Sequence, residues 1–195
     1  SGLVDVAEVS HIRLALHLLT ALVILAGLIW VALELRAMPR GRSPAPFRMP
    51  LLAIWTLCLL FLQFLFGAYV AGLEAGYAFS TWPLMGGELF PSGTPMLEPA
   101  LRNLADNPIV VQFVHRWLAL VAGAVAVWLA WRALAAGLAR EAAALAAAVL
   151  LQILLGIVTL LSGVRIDVAV AHQGMAALLL IATVVAAHRL GEERP

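Results

Sequence analysis

Three histidines, His17, His115 and His172, lie inside long apolar runs of this chain. Ionisable side chains within a membrane span cost several kcal/mol unless they pair or face an interior, so each of the three asks for a function. His115 sits in Gln112-Phe113-Val114-His115-Arg116-Trp117, which places an imidazole beside a guanidinium just inside an apolar helix. Two neutral imidazoles on facing helices of a bundle can ligate one haem iron axially. An interhelical hydrogen bond is the plainer use of a single intramembrane histidine; three at one depth favour ligation.

Other side chains could serve such a site. Gln63 and Gly67 in one span and Gln152 and Gly156 in another form the same Gln-x-x-x-Gly pattern, which could admit a flat macrocycle and hydrogen-bond near it or simply let helices pack closely. Arg13 and Arg116 could pair with haem propionates or snorkel to headgroups. Glu74 follows a span directly and is a candidate proton-handling group at the mouth of the site, or a solvated loop carboxylate. Trp82 is an interfacial anchor or part of a cap. His188 follows His172 by sixteen residues, about 24 Å along a helix; with no evident partner, it and His11 read as interfacial residues at helix ends.

The elements that must position these groups are membrane helices. With 64% hydrophobic and 12% charged residues and a mean hydropathy of +1.01, the chain is an all-α polytopic membrane protein. Five segments suffice to cross a bilayer, about 11–36, 49–72, 108–135, 141–163 and 167–189. Proline and glycine punctuate the connections. The one long connection, 73–107, carries four prolines and is acidic; a connection of that length is usually functional or mobile.

All twelve basic residues are arginine, and eight of them fall on one side of the five spans. The positive-inside rule makes that side cytoplasmic and puts the long loop outside, on the periplasmic face of a bacterial inner membrane. The first, third and fifth spans then run in parallel, so His17, His115 and His172 lie roughly 5–10 Å below their outer ends. The second and third spans and the fourth and fifth form two similar units, each a Gln/Gly helix followed by a His helix. The first span reads as the His-bearing half of an earlier unit. The lone Cys58 excludes a disulfide framework and a CxxCH haem attachment within the chain. Ser1 begins with no basic n-region, and a segment is expected to precede it.

Gly72-Leu73-Glu74-Ala75-Gly76-Tyr77-Ala78-Phe79-Ser80-Thr81-Trp82-Pro83-Leu84-Met85, together with Gln112-Phe113-Val114-His115-Arg116, Ala171-His172-Gln173 and Arg13-Leu14-Ala15-Leu16-His17-Leu18, resembles haem A synthase of the proteobacterial and mitochondrial type. The resemblance covers nearly the whole chain. It implies eight helices in two pseudo-symmetric four-helix bundles that oxidise the C8 methyl of haem O to the formyl group of haem A for terminal oxidases. It implies that His115 and His172 bind haem b iron and that His17 belongs to the substrate-haem side; Arg116, Gln63, Gly67, Gln152 and Gly156, singled out above from their own chemistry, are then the candidates around the cofactor. Residues 1–36 would then close an N-terminal bundle, 37–48 would be a cytoplasmic linker, and 49–195 the haem b bundle. The partners it implies are haem O, delivered by haem O synthase, an unidentified electron donor, the bilayer and a further copy of the chain, with no nucleic acid. The three helices before the first span, with the reactive loop glutamate, have no counterpart here, and Glu74 matches only its pseudo-symmetric position. The alternative reading is a bis-histidine b-type cytochrome that transfers electrons without oxygenation.

Overall fold

The computed structural model describes residues 10–37 and 48–192. Six helices account for the fold: α1 (His11–Ala37), α2 (Leu51–Gly72), α3 (Asn103–Asp106), α4 (Pro108–Ala135), α5 (Ala139–Leu161) and α6 (Ile166–Glu192). All but α3 are long and apolar enough to cross a membrane, and there is no strand among the described residues. The five expected spans are therefore borne out, with ends displaced by at most three residues. Most of the linker expected at 37–48 lies outside the described residues.

Local chemistry explains where the helices begin and end. Pro50 precedes α2 and Pro108 opens α4, positions where proline's missing N–H costs nothing. The α4–α5 and α5–α6 turns close in the same way, with Gly137 (φ +82°) and Gly163 (φ +68°) in the left-handed region. Leu138 N donates to Ala133 O and Val164 N to Thr159 O, each at 2.9 Å. These are Schellman closures, which reverse the chain within a few residues and force antiparallel neighbours.

Helices α2, α4, α5 and α6 pack in that order around a ring, so α4 and α6 face each other diagonally. Helix α1 lies outside, against α2 and α6. The half away from the long loop is solid: Ala53, Ala126, Leu129, Leu145, Leu180, Ala186 and Ala187 are fully buried there. Alanine at so many contacts lets helices approach closely without a hydrophobic force between them and lipid. The half beneath the long loop is hollow.

Two histidines depart from expectation. His188 is buried at 4% exposure, with Nε2 3.1 Å from Glu34 Oε1 on α1 and its ring edge-on to Trp30 at 4.9 Å. It joins α1 to α6 rather than ending a helix at an interface. His11 Nε2 lies 3.2 Å from Asp106 Oδ1, so a histidine–carboxylate contact holds α1 near each end. Sequence periodicity missed both because the partners are 154 and 95 residues away.

The loop 73–107 is built, not structureless. Short 3-10 turns at Ala75–Tyr77 and Ala100–Arg102 and helix α3 break it up. Asn103 Nδ2 donates to Leu97 O and Ala100 O, its Oδ1 accepts from Leu97 N, and Asn107 Nδ2 donates to Asn103 Oδ1 and to Pro95 O. Asn107 Oδ1 also accepts from Ile109 N at 3.1 Å, capping α4. Asn107→Ala removes the cap and both donated bonds at a position that is 4% exposed, and its expected cost is about 2 kcal/mol. Unfolding of the detergent-solubilised protein checks this; a loss under about 0.5 kcal/mol would mean the loop does not depend on the pair.

Candidate functional site

A cavity of about 450 Å³ occupies the hollow half, walled by all five long helices and roofed by the loop. Such a volume lies within the range of small-molecule and cofactor pockets, and like them it is lined mainly by apolar side chains. His115 from α4 and His172 from α6 both line it, so two imidazoles enter one space from diagonally related helices.

Each imidazole rests in a cradle supplied by the preceding helix of its own unit. Gln63 Nε2 lies 3.0 Å from His115 Nδ1 and donates to His115 O at 3.1 Å, while Gln152 Nε2 lies 3.4 Å from His172 Nε2. One turn further on, the glycine of each pattern faces the same ring. A Cβ on Gly67 would sit 3.2 Å from His115 Cε1, and one on Gly156 2.9 Å from His172 Cε1. Any side chain at these positions would occupy the space the imidazoles hold. The Gln-x-x-x-Gly repeat thus supports histidine, and the cradles differ in that Gln63 also reaches the His115 backbone carbonyl, whereas Gln152 meets His172 at Nε2.

The cavity is graded along its length. Its deep end meets the apolar surfaces of Leu22, Leu60, Ala126 and Leu179, whereas Glu74, Gln112, Arg116 and Gln173 line the end beneath the loop. Glu74 has a left-handed backbone (φ 52°), turning the chain from α2 into the roof, and Trp82 also lines the space. Gln63 Oε1, Gln112 Oε1, Arg116 Nε, Gln152 Oε1 and His172 Nδ1 are buried without hydrogen-bond partners. Unsatisfied buried polar atoms that converge on a cavity leave bonding capacity for an occupant.

Arg116 is placed differently from a simple propionate partner. At 6% exposure, its Nη1 donates to Thr81 O and its Nη2 to Phe79 O, both at 2.7 Å. Gln112, one turn earlier, donates to Phe79 O at 3.0 Å and Gly76 O at 3.3 Å. Sequence reading overlooked Gln112 as a side chain of consequence. It also missed Leu18 and Leu22 of α1, which line the cavity. His17 and Arg13 are exposed and do not line it: the site unites His115 and His172 but not His17.

The residues fit a flat, largely apolar macrocycle held between two imidazoles, as haem is. The two imidazoles would hold its iron, the glycines leave room beside the rings, and Glu74, Gln112, Arg116 and Gln173 at one end would meet its carboxylates. No group of three or more His, Cys, Asp or Glu residues that could hold a bare metal ion occurs among the described residues.

Fold and site together define a polytopic helix-bundle membrane protein with a histidine-faced cavity in one half. A family profile described as cytochrome oxidase assembly protein, COX15-CtaA, matches residues 1–184. The chain belongs to that family. It is 50% identical over 194 residues to a protein named heme A synthase from Rhizorhabdus wittichii, covering 100% of this chain and 56% of that one. It is 45% identical to the heme A synthase of Sphingopyxis alaskensis over 98% of this chain and 54% of that one. For the heme A synthase of Rhodospirillum centenum the identity is 48%, covering 92% and 49%. The chain therefore spans about half the length of the relatives it matches. No solved structure matches it.

Proposed function

We propose that the cavity holds haem b between His115 and His172, and that the chain supplies this bundle to a haem A synthase, which oxidises the C8 methyl of haem O to a formyl group for terminal cytochrome oxidase. The observation that carries the reading is the pair of matching cradles, each a Gln, a Gly and a His, facing one cavity from opposite sides. The names of the relatives support the same activity.

Haem b, when bound, supplies one-electron redox chemistry. His115 and His172 hold its iron. Gln63 and Gln152 orient the two rings, as outer-shell partners of metal-bound histidine do. The apolar deep end excludes water, and the polar end beneath the loop receives the propionates. Glu74, at that end, handles protons.

His17, on a face of α1 outside this cavity, takes the substrate haem iron. Residues 1–36 thereby belong with an N-terminal substrate bundle, 37–48 form a cytoplasmic linker and 49–195 form the haem b bundle. Arginine asymmetry supports a bacterial inner-membrane location with the histidines towards the periplasm. Haem O synthase as the deliverer of substrate, an external electron donor and a second copy of the chain are the partners this reading calls for.

The test is spectroscopic. The purified protein should show a low-spin bis-imidazole spectrum and a haem b pyridine haemochrome, and His115→Ala with His172→Ala should abolish the low-spin signal. An unchanged spectrum in the double variant would remove the assignment. Incubation with haem O and chromatography of extracted haems separates the synthase from an electron-transfer cytochrome, since only the synthase yields hydroxylated and formyl haem.

A further inference from the structure

The roof of the cavity is a single stretch, residues 74–82, tied down at two places. On one side, Arg116 and Gln112 donate four hydrogen bonds to its carbonyls, at Gly76, Phe79 and Thr81. On the other, Gly76 meets the α5–α6 turn, where a Cβ added to it would lie 2.9 Å from Val164 Cγ2 and 4.0 Å from Val164 Cβ. The stretch leaves α2, meets the α5–α6 turn at Gly76 and lies over α4 at Phe79 and Thr81. Glu74, Tyr77 and Trp82 of it line the cavity beneath.

A guanidinium presents its planar fork to two acceptors at once, and charge-assisted bonds are the stronger kind. Both terminal nitrogens of Arg116 are committed to backbone, at 2.7 Å each. Two of its five N–H donors are thus spent on the roof, while Nε has no hydrogen-bond partner and stays open to an occupant of the cavity. Backbone carbonyls as partners also make the contact indifferent to the identity of the roof's side chains.

We propose that residues 74–82 form a strap which must lift for haem to enter or leave, and that Arg116, braced by Gln112, is a positioning residue that keeps it closed. This rests on the reading of the cavity as a haem site. Because Arg116 follows His115 on α4, the residue that closes the strap is adjacent to an iron ligand, so closure and ligation share one helix turn.

Haem release to an excess of apo-globin, followed by absorbance, tests this on the full-length haem-loaded protein, filled either with protohaem or with its dimethyl ester. Arg116→Ala should accelerate release by about tenfold or more for both haems, with the bis-imidazole spectrum retained; each tenfold corresponds to about 1.4 kcal/mol. Acceleration confined to protohaem would identify Arg116 as a propionate partner and overturn the proposal. Should Arg116→Ala fail to fold, Gly76→Cys with Val164→Cys in a Cys58→Ser background provides the second arm, since a Cβ separation of 4.0 Å suits a disulfide. Oxidation of that pair should slow release at least tenfold, reversibly with reductant. Release unchanged by oxidation would overturn the strap while leaving the haem site intact, whereas a wild-type protein that takes up no haem would overturn both.

Discussion

Gly156→Ala is expected to lower haem affinity by about tenfold or more while leaving the helices folded. Two effects of opposite sign meet at this position. Alanine is the better helix former by about 1 kcal/mol, so α5 itself gains. The new methyl, however, lies 2.9 Å from His172 Cε1, closer than packed carbons tolerate, and overpacking of this kind costs about 1–3 kcal/mol. The imidazole must tilt out of its cradle, away from the position in which it would hold the haem iron. Gly67→Ala, with 3.2 Å to His115 Cε1, should show a smaller effect of the same sign. Gly174→Ala, two residues from His172 with nothing within 4 Å, should leave haem affinity unchanged. Titration of the apoprotein with haem ranks the three; equal affinities at all three positions would show that the glycines do not shape the ligand pocket.

His188→Ala is expected to destabilise the fold by about 2 kcal/mol without changing the haem spectrum. The ring is 4% exposed, stacks edge-on with Trp30 and lies within hydrogen-bond distance of Glu34. Its removal leaves the half-buried Glu34 carboxylate without that partner, a change worth about 1 kcal/mol. It also forfeits the aromatic contact, about 0.5–1.5 kcal/mol. Replacing both members, as Glu34→Leu with His188→Leu, should recover most of the loss, because no polar group is then stranded. Unfolding of the single and double variants in detergent measures the coupling. A double variant as unstable as His188→Ala would show that packing, not the pair, holds α1 to α6.

Much of this was legible in the sequence, for identifiable reasons. Spans are governed by length and apolarity, which are local properties, so α4 appeared at its true bounds, 108–135. The shared depth of His115 and His172 followed from helix rise and the parity of spans alone. The Gln-x-x-x-Gly echo was visible, but not its use: spacing puts Gly156 one turn from Gln152, whereas its approach to His172 depends on how α5 meets α6. What escaped was long-range or backbone-mediated. The donors of Arg116 find carbonyls 35 and 37 residues away, and carbonyls carry no sequence signature. Glu34 and His188 are separated by 154 residues, beyond any periodic argument. The order of the loop was not legible because it comes from Asn103 and Asn107, whose amides substitute for the missing ladder of a regular element.

Helix α1 gives the molecule a partition. Leu18 borders the cavity and its neighbour His17 is exposed, so consecutive residues of one helix face the cavity and the outside of the described bundle. A helix with its side chains is about 10–12 Å across, and a group bound at His17 would lie about that far from one in the cavity. That is too far for the two to share a ligand and close enough for an electron to cross without a carrier. The thickness of one helix, more than any side chain on it, would then set how far a group held at His17 stands from one in the cavity.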